Sequence, residues 1–365
     1  MTVVVKVGSS IVAGVCGLNE KQISAVASDI AAVHEMGLKV ALVSSGAVAA
    51  GMEKLGLKEK PKDIMLKQAA AAVGQSSLMW AYEKSFKEHG KKVAQVLLTR
   101  EDFSDRTRYM NSRNTLLTLL GHGVIPVINE NDTVATDEIK FGDNDRLAAL
   151  VSALLGADRL VILSDVEGLY SGDPKKNPKA VLIPEVREIT SGIRDMAGGA
   201  GSAVGTGGMY SKVLAAGEAM RAGITVNIIS GRRPGLLPSI VGGERHGTEF
   251  VPKKTKLPLK KGWIAFGLRT KGAITVDEGA KRALLTGGKS LLPSGIVSAD
   301  GDFKQGDAVF CLDSSGARIA KGLTNYSALE VEKIKGRKTS EVEKVLGYKY
   351  SDEVIHRDNL VIMVR

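Results

Sequence analysis

Two textures alternate along most of the chain. Short runs dominated by Val, Ile and Leu, "TVVVKVG", "KVALVSSG", "KVAQVLLT", "VIPVINE", "RLVILSD" and "TVNIIS", are separated by longer segments whose apolar residues recur at helical spacing. That alternation predicts stacked βαβ units around a mainly parallel sheet. Nearly all six runs end in small, polar or acidic residues. Ligands of open α/β sheets sit beyond the carboxyl ends of the strands, so chemistry is expected at those endings.

The texture changes after residue 250. "VPKKTKLPLKKGW" carries Lys253, Lys254, Lys256, Lys260 and Lys261 with no acidic neighbour and, with Pro252 and Pro258, reads as an exposed linker. Beyond it the pieces become short and β-rich, with Gly-Asp turns in "SADGDFKQGD" and one helix expected near Glu278 to Leu285, the pattern of a compact, mostly-β module. The division expected is therefore an α/β domain over 1–250, a basic linker over 251–262 and a second domain over 263–365.

Composition narrows this picture only a little. At 365 residues with 44% hydrophobic and 25% charged side chains, the chain is ordinary globular material for roughly two domains. No apolar run approaches the roughly 20 residues that cross a bilayer, and "MTVVVKVGSS" is unlike a secretory leader, so no membrane partner and a cytoplasmic location are expected. Cys16 and Cys311 stand far apart, without metal-ligand or redox spacing, and read as buried or incidental thiols. The net charge of +10 fits nucleic acid, an anionic substrate or mere solubility, and does not choose among them.

Five stretches can carry chemistry. Lys6 lies inside an apolar strand that runs into Gly8, Ser9 and Ser10. A lysine buried there requires an anionic partner, carboxylate or phosphate, unless it snorkels to solvent from the strand end. In "VSSGAVAAGM" a strand gives way through Ser44, Ser45 and Gly46 to an Ala-rich helix start, suited either to an anion or to close packing. "VINENDTVATDEIKFGDND" places Asn129, Glu130, Asn131 and Asp132 at a strand end, and Asp143, Asn144 and Asp145 at a helix start. Amides and carboxylates together are what a zwitterionic amino acid needs, although an N-cap alone accounts for one of them. "VILSDVEGLY" ends a strand in Ser164 and Asp165. "GTGGMYSK" has the glycines, hydroxyls and lysine of a phosphate loop, but in an order that is not Walker A. Lys212 there falls in the first turn of a helix, where a phosphate could also sit.

Taken together and in this order, "KVGSS", "SSGAVAAG", "VINENDTVATDEIKFGDND", "LSDVEGLY" and "GTGGMYSK" resemble the amino acid kinase family, in particular its glutamate 5-kinase branch, and the trailing module resembles a PUA domain. The resemblance spans essentially the whole chain. "GSS" stands where many relatives have "GTS", and "LSD" where some have "LTD", both exchanges keeping a hydroxyl.

The resemblance implies a three-layer αβα sandwich around a mainly parallel sheet, followed by a small, mostly-β PUA-like barrel. It implies ATP-dependent phosphorylation of the γ-carboxylate of L-glutamate with Mg2+, and it assigns Lys6, Lys212 and Asp145 to catalysis. ATP is expected against Lys6, Gly8, Ser9, Ser164, Asp165, Thr206, Gly207, Gly208, Met209, Tyr210, Ser211 and Lys212. The amino acid is expected against Ser45, Gly46, Asn129, Asp132, Asp143 and Asn144, with no dedicated protein cage for the metal. It further implies a homo-oligomer, dimer or tetramer, with proline as feedback inhibitor. "REDFSDRTRYMNSRNT" reads as an exposed loop, where an inhibitor could be sensed, or as a solvated loop leading into a helix. Two alternatives stand beside this reading. One is another kinase of the family, with aspartate, acetylglutamate or uridylate as acceptor. The other is RNA binding through the trailing module, disfavoured as the main function by the intact phosphate-site residues and the 4% aromatic content.

Overall fold

The computed structural model describes residues 1–14, 17–59, 61–134, 144–174, 177–198, 208–253 and 259–363. They divide into two compact units, Met1–Lys256 and Leu257–Arg365.

In the first unit the six apolar runs are strands: β1 (Thr2–Val7), β2 (Lys39–Ser44), β3 (Lys92–Leu98), β4 (Val124–Glu130), β5 (Arg159–Ser164) and, later in the chain, β7 (Thr225–Ser230). Two short strands toward one edge, β6 (Glu185–Val186) and β8 (Thr248–Phe250), were not visible in the pattern because two or three residues establish no periodicity. The sheet order among the described residues is β3-β4-β2-β1-β5-β7-β8-β6. Pairing is parallel from β3 to β7, and only β8 runs antiparallel to its neighbour β7. From β1 the chain builds outward on one side (β2, β3, β4), then crosses to the other (β5 onward). β1 thus stands where the strand order reverses, the place where an open α/β sheet leaves a crevice beyond its carboxyl edge.

The helices of this unit are α1 (Ser9–Val12), α2 (Glu20–Glu35), α3 (Ala47–Lys54), α4 (Ile64–Lys87), α5 (Arg100–Ser104), α6 (Arg106–Gly121), α7 (Asn144–Leu155), α8 (Ser191–Met196), α9 (Met209–Arg221) and α10 (Leu236–Val241). Alternation along β1 decides what each face meets. Val3, Val5 and Val7 join a core with Ile23, Val26 and Ile30 of α2 and Leu78, Tyr82 and Phe86 of α4. Successive strand residues point to opposite faces, so Val4 and Lys6 face the other layer, where α7 lies against β1 and α9 against α7. "REDFSDRTRYMNSRNT" corrects the loop reading: it forms α5 and α6, joined at Asp105. The reason is local. Asp102 Oδ2 accepts from the Thr99 N–H at 2.6 Å and from Thr99 Oγ1 at 2.9 Å, and Asp105 Oδ1 caps the next helix through the Arg108 N–H at 2.8 Å.

The second unit is built on a mixed five-stranded sheet of order β10-β9-β11-β12-β13, from β9 (Thr270–Val276), β10 (Ile296–Gly301), β11 (Ala308–Leu312), β12 (Arg318–Leu323) and β13 (Leu360–Ile362). Its helices are α11 (Leu259–Gly262), α12 (Glu278–Leu285), α13 (Ala328–Ile334) and α14 (Val342–Leu346). The expected helix is α12, capped by Asp277 through the Ala280 N–H at 2.7 Å. α11 takes the last residues of the basic stretch and runs on into a π-helical turn, Trp263–Gly267, whose Trp263 and Ile264 are buried. Cys311 is fully buried in this core, and burial pushes its thiol up to about 12. Cys16 lies outside the described residues.

Candidate active site

Lys6 is 1% exposed and Lys212 5%, so neither ammonium escapes to solvent. Such burial is tolerable only with a partner. The partner is one carboxylate: Lys6 Nζ pairs with Asp145 Oδ1, and Lys212 Nζ lies 3.2 Å from Asp145 Oδ2. Asp145 is itself wholly buried, in the first turn of α7, where the helix dipole favours its charge. Ser211 Oγ, with one proton to donate, lies 3.0 Å from the same Oδ2 and 2.9 Å from the Gly208 carbonyl oxygen. Three remote pieces of chain, β1, α7 and the start of α9, thereby meet at one point. They can do so because Lys6 is on the α7 face of β1, and because α9 packs along α7 with its first turn at the same end.

These lysines floor a cavity of about 300 Å³ at the carboxyl edge of the sheet. Its lining is Lys6, Gly8, Ser9, Ser10 and Ser45 on one side, and Leu163, Ser164, Asp165, Val166, Gly208, Met209 and Lys212 on the other. Gly8 lies beside the ammonium group: a Cβ there would stand in ordinary contact with Lys6 Nζ, at 3.5 Å. α9 presents its N-terminal turn to the cavity through Gly208, Met209 and Lys212, so main-chain N–H groups and a lysine face the same space. Ser164 is buried at the end of β5, and Asp165 is exposed beside it.

Next to the cavity a chain of amides crosses the ends of β2 and β4. Asn144 Nδ2 has three acceptors within reach for its two protons: the Ser44 carbonyl at 2.8 Å, Asn129 Oδ1 at 2.9 Å and Ser45 Oγ at 3.0 Å. Asn129 Oδ1 also accepts the Glu130 N–H at 2.9 Å, and Asn129 Nδ2 donates to Gln75 Oε1 at 2.9 Å. Ser44 Oγ gives its proton to the Ser45 carbonyl at 2.9 Å, so the buried Tyr82 hydroxyl, 2.8 Å away, is the donor to Ser44. Burial pushes that phenol upward and keeps it protonated. Gly46 serves the backbone: at φ +118° a Cβ would come within 2.9 Å of Val12 Cγ2.

The structure thus gathers Lys6, Gly8, Ser9, Ser45, Asn129, Asn144, Asp145, Ser164, Asp165, Gly208, Met209, Ser211 and Lys212 around one edge. Tyr210 is half-buried in the first turn of α9 and is not among the lining residues, and Asp132 is half-buried in the turn after β4. Asp143, Thr206 and Gly207 lie outside the described residues. The sequence reading noted Ser10 after Lys6 without assigning it to the site, and it missed Leu163 and Val166, each one position from a residue it singled out, and Gln75, whose setting in "AAAAVGQSS" carries no charge.

The sequence model of the amino acid kinase family matches residues 1–230, and that of the PUA domain matches residues 272–346. The chain belongs to the amino acid kinase family. Relatives in it extend the likeness from end to end. Glutamate 5-kinase of Syntrophotalea carbinolica is 52% identical over 360 residues, which cover 99% of this chain and 96% of that protein. Glutamate 5-kinase of Caldanaerobacter subterraneus is 52% identical over 366 residues, 100% of this chain and 98% of that one. Among solved structures, carbamate kinase from Giardia lamblia bound to AMP-PNP is 19% identical, with a TM-score of 0.53 over 69% of this chain and 98% of that chain, a likeness of fold alone. The family accounts for the mainly parallel α/β unit, and the PUA domain for the separate β-rich sheet that follows.

Proposed function

We propose that this chain transfers the γ-phosphoryl group of ATP to the γ-carboxylate of L-glutamate, giving γ-glutamyl phosphate, the first step toward proline. The observation that carries the reading is the meeting of Lys6 and Lys212 on Asp145, beside the Ser45–Asn144–Asn129 amides. Support comes from a chain that shares half its residues, over its whole length, with proteins named glutamate 5-kinase.

The acceptor needs no general base. A glutamate carboxylate, with a reference pKa of about 4.3, is already the nucleophile at neutral pH. The obstacle is electrostatic, because an anion must approach a polyanion and charge builds on the transferring oxygens. Lys6 and Lys212 supply the compensating charge in a buried setting, where it is worth more than in water. Asp145 holds both ammonium groups in place and offsets their mutual repulsion before substrate arrives. The nucleotide phosphates lie over Gly8, Ser9 and the first turn of α9, and the rest of ATP extends past Ser164 and Asp165. The amino acid lies against Ser45 and Asn144, with Asp132 turned to its ammonium group.

The donor set fits a magnesium ion carried by the nucleotide: both Asp145 oxygens are engaged by ammonium groups, and among the described lining residues Asp165 alone offers an exposed carboxylate at the cavity rim. Bound there, magnesium would neutralise phosphate charge. The resemblance that supports this reading carries with it a cytoplasmic homo-oligomer, dimer or tetramer, inhibited by proline.

Release of ADP from ATP, measured with L-glutamate, L-aspartate, N-acetyl-L-glutamate and UMP as acceptors, tests the proposal. Glutamate should exceed the others in kcat/KM by about a hundredfold or more. Preference for another acceptor would move the chain to a different branch, and salt-dependent RNA binding without any ADP release would overturn the kinase reading.

A further inference from the structure

We propose that Gln75, on α4, is a substrate-binding residue whose side-chain Nε2 donates to the α-carboxylate of the acceptor amino acid. The inference rests on the glutamate reading above and deepens it by naming a group that recognises one end of the substrate.

The orientation of the amide chain is fixed by main-chain groups, which cannot exchange donor for acceptor. The Glu130 N–H can only donate, so the Asn129 atom that receives it is Oδ1. The other end of Asn129 is therefore the NH2 group, and the Gln75 atom receiving from it at 2.9 Å is Oε1. The Ser44 carbonyl can only accept, so the Asn144 atom at 2.8 Å is Nδ2. Both ends of the chain are polarised by these two anchors, and at the Gln75 end the group left over is the Nε2 donor. That nitrogen is buried and has no hydrogen-bond partner among the described residues. A buried donor left unsatisfied is costly, and a ligand oxygen would relieve the cost.

Placement on α4 is enforced by packing. A Cβ at Gly74 would fall 1.8 Å from the Ala47 carbonyl oxygen and 2.3 Å from the Gly51 nitrogen, so this glycine seats α4 directly on α3, and the next residue, Gln75, reaches the end of β4. The helix that follows β2 and the strand end that bears Asn129 are thus tied across the acceptor side of the crevice.

Chemistry then selects the substrate group. Glutamate offers a γ-carboxylate, an α-carboxylate and an α-ammonium. The γ-carboxylate must face the phosphoryl group between Lys6 and Lys212. The ammonium is a donor, which an amide NH2 repels and which a carboxylate such as Asp132 suits. The α-carboxylate remains, and a donor of fixed direction is what recognises it.

The test is Gln75→Glu. This change keeps an oxygen to accept from Asn129 but puts an acceptor where the donor was. Full-length wild-type and variant enzymes are compared with L-glutamate and with L-isoglutamine, its α-carboxamide, as substrates or, where turnover is undetectable, as competitive inhibitors. KM for glutamate should rise about tenfold or more while KM for ATP stays within about twofold, and preference for glutamate over isoglutamine should fall by about a hundredfold. A purely structural role predicts an unchanged preference ratio, and that result would overturn the inference. Should Gln75→Glu not fold, Gln75→Met supplies the same ratio: loss of recognition lowers it, whereas loss of scaffold alone reduces both acceptors alike and contradicts the proposal. Wild-type turnover of glutamate tests the function reading separately, so failure of one is not mistaken for failure of the other.

Discussion

Three lysines are buried among the described residues, and they are buried in two different ways. Lys6 and Lys212, in the kinase unit, share the carboxylate of Asp145 at the floor of a cavity. Lys321, on β12 of the PUA unit, points its ammonium at main-chain carbonyls, those of Ala265 at 3.2 Å and Leu268 at 2.6 Å, and so fastens the π-helical turn at the start of its own unit. The local sequences look alike: "VVVKVG" and "RIAKGL" each place a lysine in an apolar strand just before a glycine. What separates them is the partner. Carbonyl dipoles accept from an ammonium group without cancelling its charge, and Lys321, which is not among the cavity-lining residues, makes a fastening. A carboxylate that already holds two ammonium groups at the edge of a cavity leaves net positive charge for an anion to use. A buried lysine alone is therefore no sign of catalysis; two on one acid, facing open volume, are.

The comparison can be broken from either side. The largest effect is expected at the shared carboxylate: Lys6→Ala or Lys212→Ala should lower kcat by about 10²–10³, roughly 3 to 4 kcal/mol of barrier, in an enzyme that still folds, as steady-state ADP release and circular dichroism would reveal. Near-normal turnover in either variant removes that lysine from the mechanism. The smaller effect belongs to the fastening. Lys321→Met should cost about 2 kcal/mol of stability, seen as a lower melting temperature, and leave kcat within about twofold. A large loss of turnover with unchanged melting would mean that Lys321 does more than hold its turn.

The same contrast explains how much could be read in advance. Five of the six strands were legible because strands buried on both faces need continuous apolar runs, and the edge strand β3 because its run "KVAQVLL" is still mostly apolar, whereas β6 and β8 are too short to establish a period. Lys6, Asp145 and Lys212 stood out one by one, each as a polar residue at the end of a strand or the start of a helix. Their convergence was a matter of the fold: Lys212 and Asp145 are separated by 67 positions, and only the packing of α9 along α7 brings them to 3.2 Å. The resemblance to relatives supplied that pairing before geometry did. Gln75 was illegible for the opposite reason. It sits in an alanine-rich helix without charged neighbours, and its significance comes from a hydrogen bond to a strand 54 positions away. The "REDFSDRTRYMNSRNT" segment misled because charge density suggests a loop, while the side chains of Asp102 and Asp105 were spent on capping helices.

The most direct measurement is a crystal structure of the protein with L-glutamate, magnesium and a nonhydrolysable ATP analogue. The account predicts that Lys6 Nζ and Lys212 Nζ both lie within about 3 Å of oxygens on the terminal phosphoryl group, with the glutamate γ-carboxylate opposite in line. A terminal phosphate bound elsewhere, with either ammonium turned away from it and held only by Asp145, would contradict the account.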